Sequence, residues 1–529
     1  MPALDEMVRV LVDHLETANR RPGEPRQYED DPHASKLFTV KPGYFAARLS
    51  PGGVELSRFA SSSAATVPLA AAVGALIGVA LVAKPIVVLG LVALVIALIG
   101  VAVAVARPAI AYGGLIAAMA LIPTYAAPKI GPLLFDPAAA GCWLVAIALM
   151  FRNALTEGVL YRPNYVDAAV WSFVVLMTVS LSFSGRAELT DLVHDMFLWV
   201  GPYLAARLLM PKIESPVKVM ALAFAAVAVI LAPIAVSEAL GGSNPFFNLD
   251  FNSGEFAIWA SQINRFGATR AVTSFGHPIA YSMFLAASAL LSIAMGIATS
   301  AAKPRLAWYA AAAVAIGTMA LALSRTGWLM LAIGIVALAA VSVRGPIRKR
   351  LFTLFALVIG VVLVTSVVLP QELQVLPGVG HSQESNYATS GLYREALLHR
   401  ALQPGVLGLW GNAHNMVTPA VNFGTATDNT YIILADMWGL IPTFALFAVG
   451  ISLLVALAAS YGLPGEPIAI LPIIGFTCMV AIFFVAFITQ QQVMIWFLVG
   501  AGGAAAELIA SRRRQRRQDQ RRSRVRDWR

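Results

Sequence analysis

Charge is what this chain has least of. Asp, Glu, Lys and Arg make up 12% of its 529 residues, while 58% are hydrophobic. A soluble domain is about a quarter charged, so a mean hydropathy of +0.74 argues against an ordinary soluble enzyme. Cysteine is nearly absent: Cys142 and Cys478 are the only two, each inside an apolar run. They read as packing residues, not as a disulfide or a metal pair. The alternation of a β-barrel strand is missing from Ile86–Ala106, which excludes a barrel there. No Walker P-loop, HExxH, CxxC or G-x-S-x-G pattern occurs. ATP hydrolysis, zinc proteolysis and redox catalysis therefore have no support in the sequence. No cleavable signal peptide is expected, because residues 1–60 are polar and mixed in charge and the first apolar run is long enough to span.

What the chain does have is a series of long apolar runs from Thr66 onward. Their lengths predict an all-α, polytopic helical membrane protein with about 14 transmembrane helices, within a range of roughly 12–14. The expected spans are 64–83, 86–106, 108–127, 134–151, 166–184, 191–210, 217–240, 277–299, 305–323, 326–343, 351–370, 429–461, 467–488 and 491–510. The span at 429–461 is long enough to expect a break. Three regions follow: an N-terminal cytoplasmic extension (1–62), partly disordered; a transmembrane region (63–510); and a basic cytoplasmic tail (511–529).

Positive charge alternates from one side to the other. With the N-terminus inside, the inner connections hold Arg107, Arg152, Arg162, Arg207, Lys212, Lys218, Lys303, Arg305 and Arg344–Arg350. This places both termini in the cytoplasm and two long connections, 241–276 and 371–428, on the outer face. The second is the one large outer loop, set between late helices. The formal net charge of +10 is mostly local to the tail, where Arg512–Arg529 holds ten arginines and two aspartates. Following a span directly, this tail is expected to meet anionic membrane lipids and not nucleic acid.

The outer connections carry the candidate chemistry. In the first, Asn264-Arg265-Phe266-Gly267-Ala268-Thr269-Arg270 leads into Gly276-His277-Pro278. Arg265 and Arg270 stand just before a span, where an arginine either snorkels or binds an anion; its planar fork suits a phosphate or diphosphate. Gly276 and Pro278 would shape the next helix's entry, with His277 as a structural hydrogen-bonding residue. Ser324-Arg325-Thr326-Gly327 forms a tight corner between two apolar runs, and Arg325 has the same two readings. In the large loop, Ser390–Leu402 has helical spacing with Arg394, Glu395, His399 and Arg400 on its polar side. Pro404-Gly405 then breaks it. His414 reads as a hydrogen-bonding residue or a general base. Asp428, just before an apolar run, is either a helix cap or a base, and the two roles can coexist.

At these residues the chain resembles the O-antigen ligase and O-antigen polymerase superfamily of bacterial envelope glycosyltransferases, over roughly residues 165–510. The resemblance rests on Arg270…Gly276-His277-Pro278, on Ser324-Arg325-Thr326-Gly327, and on the large loop with Arg394 and Pro404-Gly405. It rests most on Asp428-Asn429-Thr430-Tyr431, followed by Gly439-Leu440-Ile441-Pro442. Family members typically carry His where this chain has Asp428, and Gly where it has Pro442.

The resemblance implies a metal-independent transferase without cofactor in the bacterial inner (plasma) membrane. It would move a glycan from a polyprenyl-diphosphate carrier to a hydroxyl of a glycan, lipid or protein acceptor, in cell-envelope polysaccharide synthesis. Arg265, Arg270, Arg325, Arg394 and Arg400 would hold the diphosphate. Asp428 or His414 would deprotonate the acceptor, and Asn429, Tyr431, Gly276, Pro278 and Gly439 would shape the site. A lipid-linked oligosaccharide flippase and a non-catalytic envelope assembly protein are the alternatives. Against the first, the sequence shows no clear internal repeat.

Overall fold

The computed structural model describes residues 100–127, 129–130, 133–158, 161–183, 189–249, 263–265, 268–342, 399–411, 429–460, 467–483, 485 and 490–527. All belong to one compact unit, Leu89–Arg529. The expected N-terminal extension, the spans 64–83 and 351–370, and residues 371–398 and 412–428 of the large loop lie outside the described residues.

The described chain is helical almost throughout. In order come α1 (Pro108–Leu121), α2 (Pro137–Glu157), α3 (Tyr165–Phe183), α4 (Leu189–Leu209), α5 (Pro216–Ala239) and α6 (Pro278–Ala298). Then follow α7 (Ala302–Leu321), α8 (Arg325–Ser342), α9 (Thr430–Met437), α10 (Leu440–Ser460), α11 (Ile470–Ala481) and α12 (Gln490–Asp527). Two small antiparallel hairpins interrupt them, β1–β2 (Lys129–Ile130, Leu133–Leu134) and β3–β4 (Ile263–Arg265, Ala268–Arg270).

Sequence explains the helix ends. Pro137, Pro216 and Pro278 open α2, α5 and α6, where a missing N–H costs nothing. Asp136 caps α2, its carboxylate accepting from Ala139 N–H at 2.9 Å, and Gly158 closes the helix at φ 69°.

Among the described residues, α2, α3, α5, α6, α8, α10 and α12 are long and apolar enough to cross a membrane. Helices α4 and α7 have a span's length but more polar sequence, including Asp191, His194, Asp195 and Arg207 in α4. The fold is that of an all-α, polytopic membrane protein. The expected break in 429–461 falls at Trp438-Gly439, between α9 and α10.

Two boundaries differ from expectation. Of the described residues in the expected span 467–488, Ile470–Ala481 are α-helical, after a short 3-10 turn. The chain turns there, and the carbonyls of Ile482 and Val485 both accept the N–H of Thr430, at 3.2 Å each. The basic tail is not a separate element either. It continues α12 unbroken to Asp527, because its arginines and glutamines favour helix and no Gly or Pro interrupts them.

The core lies where α3, α4 and α12 meet. Phe173, Trp199 and Trp496 stack there with centroids 5.7–5.9 Å apart. Helix α12 approaches α4 closely at Gly500: a Cβ would fall 2.2 Å from the Tyr203 carbonyl, so only glycine allows this approach. Helices α6 and α12 are the most enclosed of the candidate spans, 89% and 83% buried over their apolar windows.

The end of the bundle away from the outer-loop candidates is tied by a buried ion pair. Arg207 Nε donates to Asp167 Oδ1 at 3.0 Å, with the two side chains 3% and 0% exposed. Its Nη2 reaches Glu507 of α12 at 2.9 Å and the Arg162 carbonyl at 2.9 Å. The Tyr203 hydroxyl also donates to Asp167. Asn164 starts α3 by accepting from the N–H groups of Val166 and Asp167, and donates to the Gly503 carbonyl at 2.8 Å. A buried charge left alone would be costly, so each member holds the others in place.

Candidate functional site

The opposite end of the bundle gathers the C-termini of α1, α5 and α7 with the N-termini of α6, α8 and α12. Hydrogen bonds fix this convergence. Ser274 donates its hydroxyl to the Ala120 carbonyl. Gln490 donates its amide to the carbonyls of Ile122 (3.0 Å) and Ser274 (2.6 Å). Ala271 N–H donates to the Leu321 carbonyl at 3.1 Å.

Arg270 leaves strand β4 half-buried and points at the α7–α8 corner. Its Nε donates to the Ala322 carbonyl at 3.0 Å and its Nη2 to the Leu323 carbonyl at 3.4 Å. These carbonyls end α7, where helix partial charge is negative. Two residues further on, Arg325 opens α8 with an exposed side chain. The two arginines singled out in separate segments therefore serve one corner. Arg270 braces it, and Arg325 presents its charge there. The backbone of Arg265 pairs with Ala268 in the β3–β4 hairpin, which places it on the same approach; its side chain lies outside the described residues.

A carboxylate that the sequence did not single out organises this corner. Glu238, at the end of α5, is 1% exposed. Its Oε2 accepts from the N–H groups of Val272 (3.1 Å) and Thr273 (2.8 Å). Its Oε1 accepts from Asn244 Nδ2 at 2.7 Å, and Asn244 also donates to the Thr273 carbonyl at 2.8 Å. The signal was a lone glutamate at the end of a highly apolar run.

Two residues other than glycine adopt a left-handed backbone among the described residues, Thr273 at φ 49° and Leu323 at φ 47°. Each costs of order 1–3 kcal/mol and survives only where neighbours impose it. Glu238 clamps the first through its N–H and Arg270 clamps the second through its carbonyl. Strain is thus concentrated at this corner.

His277 is the N-cap of α6: its Nδ1 accepts from Ile279 N–H at 3.2 Å. Burial, reinforced by the Arg270 charge, pushes its pKa down to about 3, so the ring is neutral at ordinary pH and keeps its acceptor. Gly276 supplies the left-handed turn before it at φ 63°, and Pro278 is the first helical residue.

The second part of this end is the α9–α10 break. Asn429 caps α9, its Oδ1 accepting from the N–H groups of Tyr431 (2.9 Å) and Ile432 (3.2 Å). The N-cap of α9 is thus Asn429, the neighbour of Asp428, for which the sequence left a cap and a base open. Tyr431 is buried, stacks on Phe447 at 4.2 Å and donates to the Met479 carbonyl at 2.9 Å. Residues 408–411 dock on the break: Leu440 and Ile441 N–H donate to the carbonyls of Gly408 (3.0 Å) and Leu409 (3.1 Å). Gly439, at φ 97°, leaves room for them; a Cβ there would sit 2.5 Å from Gly411 N and Leu409 O. Ser180 of α3 donates to the Trp438 carbonyl and accepts from Gly411 N–H. Just upstream, Arg400 is exposed and donates to Gln403 Oε1 at 2.8 Å.

The structure therefore brings Arg270, Arg325, Gly276, His277 and Pro278 to one corner. It puts Asn429, Tyr431, Gly439 and residues 399–411 at the same end of the bundle. Arg394, His414 and Asp428 lie outside the described residues. Among the described residues no group of three or more His, Cys, Asp or Glu side chains is placed to hold a metal ion. No protein-family description matches the chain, and none of the curated proteins matches it significantly.

Proposed function

We propose that this is an outer-leaflet glycosyltransferase of the cell envelope. It moves a glycan from a polyprenyl-diphosphate carrier to a hydroxyl of a glycan, lipid or protein acceptor, as a polysaccharide ligase or polymerase. The observation that carries the reading is the braced corner. Arg270 spends donors on the Ala322 and Leu323 carbonyls, and Arg325 is exposed beside it. An exposed guanidinium on a rigid, strained corner is pre-organised to meet a diphosphate, which is also the leaving group. Neutralising charge that develops on a leaving group lowers the barrier.

On this reading Arg325 contacts the diphosphate directly, together with Arg265, Arg394 and Arg400, and Arg270 acts mainly by positioning. Asp428 or His414 takes the acceptor's proton as its oxygen attacks the anomeric carbon and the carrier diphosphate departs. The protein sits in the bacterial inner membrane with both termini cytoplasmic and this corner outside. The distribution of cations supports that orientation: Arg152, Lys212, Lys218, Lys303 and Arg305 fall at the other end of the helices.

A flippase is the rival. Among the described residues the buried charged side chains Asp136, Asp167, Arg207 and Glu238 sit near helix ends, whereas transport sites favour the bilayer midplane. The test is mass spectrometry of lipid-linked glycans in cells expressing Arg325→Ala, with leaflet assigned by an externally added glycosidase. Transferase action predicts donor accumulating on the outer face with loss of one surface polymer. Donor trapped on the inner face would refute it in favour of a flippase.

A further inference from the structure

The proposed reaction leaves the far end of α12 without a role. This helix is apolar from Val493 to Ala506, with Glu507 the one charged residue before Leu508 and the buried Ile509. Gln490–Ile509 rises roughly 30 Å, about the hydrocarbon thickness of a bilayer. Directly beyond come Arg512, Arg513, Arg514, Arg516 and Arg517 on the same unbroken helix. Arg514, Arg516 and Arg517 are exposed.

Glu507 is engaged by Arg207 at 2.9 Å, and Asp519 is the one acidic residue within 511–520. The Arg513 charge acts on the Tyr165 hydroxyl, and Tyr165 is 43% exposed at the start of α3, a position suited to a membrane interface. Lys218, Lys303 and Arg305 add cations at this end of neighbouring helices.

We propose that Arg512–Arg517 forms a binding surface for the phosphate groups of anionic phospholipids in the leaflet at this end of the bundle. Depth decides between a lipid surface and a soluble polyanion. The block spans about 9 Å of helix and begins three residues after Ile509, which matches a headgroup zone roughly 5–7 Å thick. A helix tied through Glu507 to the buried Arg207 cannot withdraw these arginines from the headgroups without breaking that pair. The surface functions independently of the transfer reaction proposed above.

The experiment titrates full-length protein in detergent with phosphatidylglycerol or phosphatidylcholine and counts bound lipid by native mass spectrometry. Wild type should prefer phosphatidylglycerol roughly tenfold or more, a preference that salt weakens. A variant with all five arginines replaced (R512Q, R513Q, R514Q, R516Q, R517Q) should lose that preference. A second variant (R521Q, R522Q, R524Q, R526Q), altered further along the helix, should keep it within about twofold, since these positions lie past the headgroup zone. Equal binding of both lipids by wild type, or an unchanged preference in the first variant, overturns the proposal. So does an RNA oligonucleotide that displaces phosphatidylglycerol with both variants equally impaired, which would make the surface a nucleic-acid site. Should the first variant not fold, loss of the wild-type preference in high salt supports the proposal and its persistence refutes it.

Discussion

Replacing His277 with asparagine should flatten the pH dependence of stability below neutrality. The native ring holds its pKa near 3 because it is buried beside Arg270, whereas an unfolded histidine titrates near 6.5. Between those values the unfolded chain binds a proton that the native chain refuses. Stability from this group is therefore fully present above about pH 6.5 and falls as pH drops toward 3. Each pH unit in that window removes about 1.4 kcal/mol, so about 2 kcal/mol is lost by pH 5 and roughly 5 by pH 3. Asparagine keeps an acceptor at the cap, because it is among the best N-cap residues, and carries no titrating group. The assay is thermal unfolding in detergent, followed by tryptophan fluorescence, for wild type and H277N between pH 7 and 5. The variant should lose visibly less stability over that interval, the carboxylates contributing equally to both. Parallel curves for the two proteins would refute the account of His277 as a buried neutral cap.

Other consequences are equally direct. Glu238→Ala should cost about 3 kcal/mol or more by stranding two backbone N–H groups and Asn244, and Glu238→Gln less; calorimetric or chemical unfolding separates them, and equal losses would mean the carboxylate is not holding the loop. Gly439→Ala should detach residues 408–411 from the α9–α10 break, because the added Cβ falls 2.5 Å from two backbone atoms; proteolysis near 399–411 should accelerate, and an unchanged cleavage pattern would contradict the docking. Asp167→Ala should destabilise by roughly 3–5 kcal/mol through an uncompensated buried arginine, and Asp167→Ala with Arg207→Met should recover part of it; failure to recover would show that the pair is not coupled.

Much of the architecture was legible because bilayer physics writes it in long apolar runs. The spans at 166–184, 217–240 and 277–299 match α3, α5 and α6 to within a residue at each end. The break near Gly439 could be anticipated from an apolar run too long for one crossing. The end of α11 could not, since Ile482 and Val485 are apolar and nothing local marks their carbonyls as the acceptors of the Thr430 N–H. The arginines of the site were visible as charges out of place, but not the task of Arg270, since carbonyl partners fifty residues away leave no local trace. Glu238 was hidden for the same reason: its partners are backbone N–H groups, and every non-proline residue supplies those.

The placement of α12 has a consequence for how the chain is made. It follows every other described helix in the chain, yet it is among the most enclosed, touching α1, α3, α4, α6, α10 and α11. Gln490 satisfies a carbonyl 368 residues earlier in the chain, and Asn164 waits 339 residues for the Gly503 carbonyl. Earlier helices must therefore enter the membrane and remain there with their shared groove unfilled until α12 has been made. The end of the bundle that presents Arg325 then acquires the hydrogen bonds of Gln490 only when α12 arrives. A chain stopped before Gln490 would be inserted yet unfinished, an orphan suited to recognition by membrane quality control.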